Sequence, residues 1–144
     1  MTRGCSLSAE DQLAILELLS RYNQAVGEGD PDGVVACFTD DGYVNGKNGY
    51  SKGPDQLRKI GLLATPERQL RHIVNNSIIR ARAESADVAD VKSHLLYFEV
   101  TAAGIEFKAS GIYTDVVVKI DGQWKFRSRV MTPTIGGTWP GQRL

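Results

Sequence analysis

The segment Ser110–Thr132 constrains this chain most: two runs rich in β-branched and aromatic residues meet at Asp121-Gly122. That dipeptide accepts the positive φ angles of a two-residue turn, so the flanking runs are expected to pair as an antiparallel hairpin. A period of two extends upstream. Val88–Val100 puts Ala89, Val91, Ser93, Leu95 and Tyr97 on one face and Lys92, His94, Leu96 and Phe98 on the other. Both faces carry large apolar side chains, so one is expected to meet a core and the other a partner subunit. His94, opposite the core face, is expected at solvent or in that interface. Arg71–Ile79 reads as a further strand with a bulge at Asn75-Asn76, and Ile105–Lys119 leads into the hairpin.

The first half of the chain has a helical period instead. Ser8-Ala9-Glu10-Asp11 has the form of a capping box, and Ile15, Leu18, Leu19, Tyr22 and Val26 recur behind it at helical spacing. Gly27-Glu28-Gly29 is the expected stop. Asp30-Pro31-Asp32 restarts a short helix carrying Val34, Val35 and Phe38. Thr39-Asp40-Asp41-Gly42 reads as a turn, Tyr43-Val44-Asn45 as a short strand, and Gly46–Gly53 as a polar loop. A third helix is expected from Pro54 through Leu63, closed by Thr65-Pro66. Helices gathered ahead of four antiparallel strands imply an α+β fold whose sheet curls around the long first helix. We expect one domain across residues 1–144, with its core at about 8–133 and a tail at 134–144 that docks Trp139 over a cavity mouth.

The 144 residues are 42% hydrophobic, ordinary for one globular unit. Seventeen basic residues balance seventeen acidic ones and are scattered, which argues against a nucleic-acid or anionic-membrane partner. No apolar run approaches the roughly 20 residues of a membrane span, and Met1–Leu13 lacks a signal-peptide core, so a cytoplasmic location is expected. Cys5 and Cys37 read as unpaired thiols, and two histidines and two cysteines without ligand spacing argue against a zinc site.

Several segments together resemble the SnoaL-like branch of the nuclear-transport-factor-2-like superfamily. They are Ala14–Tyr22, Gly29–Asp41, Arg71–Asn75, Gly111–Tyr113 and Ile120–Phe126, in that order and at that spacing. The resemblance implies a cone-shaped α+β barrel with a deep pocket, commonly dimeric. Scytalone dehydratase, bile acid dehydratase, hexachlorocyclohexane dehydrochlorinase and ketosteroid isomerase are among the relatives. It further implies cofactor-independent proton abstraction, with elimination or isomerisation of a small hydrophobic ring compound.

Carried over by residue, the resemblance makes His72 the strand histidine that serves as base, Tyr22 a pocket tyrosine on the first helix, and Arg129 an arginine following the Trp-x-Phe strand. From the first strand, Tyr43 or Asn45 is implied to reach the ligand. Tyr113 either donates a hydrogen bond inside the barrel or packs there. The chain departs from the pattern at Gly27, where relatives hold the carboxylate that pairs with the histidine. Glu28 or Asp30 would replace it only on an altered chain path. A non-catalytic binding or dimerisation module is therefore the alternative reading, and the presence of a carboxylate within reach of the His72 ring separates the two.

Overall fold

A computed structural model describes residues 6–136, 139, 140, 142 and 143; the expectations for Cys5 and Gly141 lie outside these. Helix α1 (Ala9–Glu28) starts where the capping box places it, with the Ser8 hydroxyl accepting from the Asp11 amide at 3.0 Å. It stops at Gly29, whose φ of 75° and ψ of 49° lie in the left-handed region that glycine adopts without strain. Ile15, Leu18, Leu19, Tyr22 and Val26 form its buried stripe. Ile15 and Leu18 are fully buried, each worth about 1.5–3 kcal/mol of apolar transfer. Helix α2 (Pro31–Ala36) follows, with Asp30 capping it through a 2.9 Å bond from the Gly33 amide. The third helix, α3 (Gly53–Ile60), ends one turn earlier than the sequence suggests.

Among the described residues, six strands form one sheet: β1 (Phe38–Gly46), β2 (Gly49–Lys52), β3 (Gln69–Arg82), β4 (Ser85–Thr101), β5 (Gly104–Ile120) and β6 (Gln123–Pro133). Their order is β2-β1-β6-β5-β4-β3. Two expectations are corrected here. Thr39–Gly42 is not a free turn but the bulged first half of β1, held in the strand because Phe38 on one side of it and Tyr43 on the other pair with β6. The expected loop at Gly46–Gly53 holds the short strand β2, folded back on β1 with Asn45 opposite Tyr50. The sheet is also mixed: β1 runs parallel to β6, while β6, β5, β4 and β3 form the antiparallel meander read from the sequence.

Asp121 and Gly122 adopt φ angles of 50° and 78°, as the tight hairpin requires. Asp11 secures this hairpin to the start of α1, accepting from the Lys119 ammonium at 3.0 Å and the Trp124 indole at 2.9 Å. The bulge at the paired asparagines is present, with Asn76 at φ 53° and the register shifting between Asn75 and Ile78. An extra residue in a strand reverses its alternation. His72 and Val74 therefore face inward before the bulge, and Ser77 and Ile79 after it. The concave side of the sheet covers α1, with Tyr22 packed edge-on against Phe38 and Phe126, and those two tilted on each other, at centroid distances of 5.3–5.7 Å.

Candidate functional site

Between α1, α3 and the concave sheet lies a cavity of about 110 Å³. Val26, Val44, Ile60, Leu63, Leu70 and Met131 give it apolar walls; Tyr22, His72, Tyr97 and Tyr113 add polar tips. Lys47, Arg68 and Glu99 also border it. The volume is of the order of the ~150 Å³ cavity that accepts benzene, so this conformation suits one ring.

His72 enters from β3, directly opposite Tyr97 on β4, and the two rings stack at 4.8 Å. Burial lowers the imidazole pKa to about 4, and the positive charges of Arg129 and Lys47 push it the same way. The ring is therefore neutral at cellular pH. Its Nδ1 is buried without a hydrogen-bond partner, and among the described residues no carboxylate pairs with the ring. Tyr97 instead donates to Glu99 at 2.9 Å, and Arg68 reaches the same carboxylate oxygen at 2.8 Å, so the cavity's own acid is already engaged.

The absent acid has a local cause. Gly27 sits against β3, and a Cβ built there would lie 2.4 Å from the Leu70 carbonyl oxygen. Gly27 therefore serves close backbone approach rather than the helix stop, which falls to Gly29. Neither candidate substitute reaches His72: Asp30 is occupied as the α2 cap, and Glu28 is exposed.

Tyr22 and Tyr113 border the cavity and are buried. Desolvation raises both phenols, Tyr113 to about 12, so both hydroxyls remain hydrogen-bond donors. Arg129 stands behind them and does not line the cavity. It is fully buried, and its guanidinium lies 3.7 Å from the Tyr113 ring centroid and 4.7 Å from those of Tyr22 and Phe126. Asp115, its cross-strand neighbour, takes Nε at 3.1 Å and Nη2 at 3.2 Å. Burial drives the Asp115 carboxyl up to about 6, against the pull of that guanidinium.

Tyr43 and Asn45 are not brought to the cavity. The pleat of β1 turns Val44 and Gly46 inward, and their neighbours serve the opposite side. Tyr43 packs on Tyr50 at 5.3 Å, and Asn45 exchanges two hydrogen bonds with the backbone of Arg143, at 2.7 and 3.0 Å. Gln142 adds bonds to the Asn45 and Met131 carbonyls. This ties the C-terminal segment across the sheet. Trp139 packs on Leu95, Tyr113 and Met131, beside the cavity rather than in its wall.

Sequence reasoning missed Tyr97, Glu99, Arg68 and Lys47 as polar neighbours of the site. One signal was present. Glu99 continues the inward alternation of Ala89 through Tyr97, which places a charge on an otherwise apolar face. Among the described residues, no group of three or more His, Cys, Asp or Glu side chains could hold a metal ion, and no helix is long and apolar enough to cross a membrane.

Known proteins show what this architecture is similar to. A Mycobacterium tuberculosis protein of unknown function is 28% identical, with a TM-score of 0.77 over 86% of this chain and 72% of that one. A protein of unknown function with a cystatin-like fold from Nostoc punctiforme is 27% identical, with a TM-score of 0.76 over 91% and 96% of the two chains. A Novosphingobium aromaticivorans protein provisionally assigned as a scytalone dehydratase is 27% identical, with a TM-score of 0.71 over 94% and 95%. No curated protein matches. Residues 7–130 match the SnoaL-like domain, and with the nuclear-transport-factor-2-like barrel around its cavity, the chain belongs to that family.

Proposed function

We propose that the chain is a cofactor-independent acid/base lyase, dehydratase or isomerase that takes a single-ring hydrophobic compound bearing an oxygen substituent. The observation that carries this reading is a neutral, unpartnered imidazole on the wall of a small, mainly apolar cavity. His72 would accept a proton from a carbon beside the oxygen-bearing centre. Tyr22 and Tyr113, held protonated by burial, would donate to the oxygen as charge develops on it. Arg129 holds the two tyrosine rings in place and counters charge from behind them, so its part is positioning rather than contact.

The test is deuterium incorporation in D₂O, followed by NMR, across a panel of monocyclic ketones and phenols. Replacing His72 by Ala is expected to reduce exchange of an accepted compound by about 10²–10⁴-fold. Unchanged exchange in that variant would refute the assignment. Activity should be level from pH 8 to near 5.5 and fall as pH drops through about 4, because only the unprotonated ring is a base.

A second reading, binding without chemistry, is favoured by the space that Gly27 denies to an acid. It predicts saturable binding of the same compounds with no exchange by the wild type. We further propose a homodimer through the outer sheet face, where Ile73, Leu96 and Phe107 are exposed and Phe98 packs edge-on against Phe107. Sedimentation at micromolar concentration should give a dimer that Phe107→Asp dissociates; a wild-type monomer would contradict it. A cytoplasmic location belongs to the same proposal.

A further inference from the structure

The charged side chains that border the cavity, Lys47, Arg68 and Glu99, do not balance. Arg68 donates to the Glu99 carboxylate at 2.8 Å and to the Leu63 carbonyl at 2.7 Å. Glu99 also accepts from the Tyr97 hydroxyl at 2.9 Å and lies 3.8 Å from the Lys108 ammonium. That network satisfies its own charges. Lys47 stands outside it, and no ion pair among the described residues includes Lys47. Its Nζ lies 5.1 Å from the centroid of the Tyr97 ring, which borders the cavity and stacks on His72. A cation over an aromatic face is attracted by the ring quadrupole, which favours this placement of the ammonium.

The backbone fixes which end of the cavity Lys47 serves. Lys47 and Asn48 are the two residues between β1 and β2, closed by the Gly46–Gly49 pair. Both are exposed and both border the cavity, so this turn forms part of its rim. Tyr22 and Tyr113 border the same cavity but are buried. The cavity therefore has protonated phenols at its interior end and an uncompensated ammonium at its solvent edge. The Lys47 charge is also felt at His72, where it and Arg129 both disfavour the imidazolium.

We infer, building on the reading of the cavity as a ring site, that Lys47 determines specificity and that the preferred compound is a monocyclic carboxylate. Its ring occupies the cavity, its other oxygen substituent faces Tyr22 and Tyr113, and its carboxylate pairs with Lys47 at the rim. A carboxylate left at the solvent edge keeps part of its hydration, so the ion pair is not offset by full desolvation. For the same reason the gain in affinity is modest, about 5-fold. A bound carboxylate also cancels the Lys47 field at His72, which makes the imidazole a stronger base in the complex than in the free protein.

The test is calorimetric titration of the full chain at pH 7 and low salt with benzoate and with benzamide, which share a ring and nearly a shape but differ in charge. The ratio of their affinities should fall about 5-fold in Lys47→Met, and further in Lys47→Glu, where the rim becomes repulsive. Raising the salt concentration to about 1 M should move the ratio of the unsubstituted protein toward that of Lys47→Met. A ratio that neither substitution alters would overturn the inference, as would failure of both compounds to bind. Binding alone is read, so the two proposals fail separately. A ratio that shifts as expected without deuterium exchange on any ring compound would count against the acid/base chemistry and leave Lys47 in its role. Exchange with an unaltered ratio would do the reverse.

Discussion

The β5–β6 hairpin and the α1–β3 seam differ in how far their polar groups find partners. In the hairpin most groups are paired: Asp115 holds two nitrogens of Arg129, whose remaining Nη1 is buried without a partner among the described residues, and half-buried Asp11 accepts from both Lys119 and Trp124. Across the seam, His72 Nδ1 and Asn23 Oδ1 are buried with no partner among the described residues. A satisfied buried network fixes a structure, whereas an unsatisfied one lowers stability unless a water or ligand completes it. The contrast separates Arg129, whose guanidinium is committed to the scaffold, from His72, whose ring is free to act.

Breaking the paired side should have the largest effect. Asp115→Ala strands a fully buried guanidinium and should cost about 3–5 kcal/mol in urea unfolding, whereas Asp115→Leu combined with Arg129→Met should recover most of that loss. If the single and double variants were equally destabilised, Arg129 would not be held by this pair.

The unpaired side should appear in pH dependence. The folded-state pKa of His72 is lowered to about 4 from an ordinary value near ~6.5, so the folded protein binds fewer protons than the unfolded chain between those values. Stability from this group is thus full above about pH 6.5 and is lost as pH falls toward 4, in total by about 3 kcal/mol. His72→Gln should remove that slope, and equal slopes in the two proteins would mean that His72 is not desolvated. A smaller change is expected from Gly27→Ala. Helix propensity alone favours alanine by about 1 kcal/mol, yet the Leu70 carbonyl lies where the methyl would sit, so a net loss of about 1–2 kcal/mol is expected. A gain in melting temperature would show that β3 can move away, and that an acid at residue 27 is sterically allowed.

Much of this arrangement was legible from local chemistry. The Asp121-Gly122 turn, the inward face of β4, the capping box and the asparagine bulge each follow from backbone preferences that act over a few residues. His72, Tyr22 and Tyr113 reached the cavity because their strands and helix were read with the correct face inward. Tyr43 and Asn45 did not, since the pleat of β1 depends on a parallel pairing with β6 more than 80 positions away, which no local pattern encodes. The same limit hid the α1–β3 approach that makes Gly27 a packing residue, and the fold-back of the C-terminal segment onto Asn45.

The central claim is that His72 is an uncharged imidazole walled into a ring-sized cavity, and direct titration of its ring signals in the intact protein tests it most closely. The account predicts a single transition centred near pH 4 that shifts when the cavity is saturated with phenol. A transition near ~6.5 that phenol does not move would place the ring in water and contradict it.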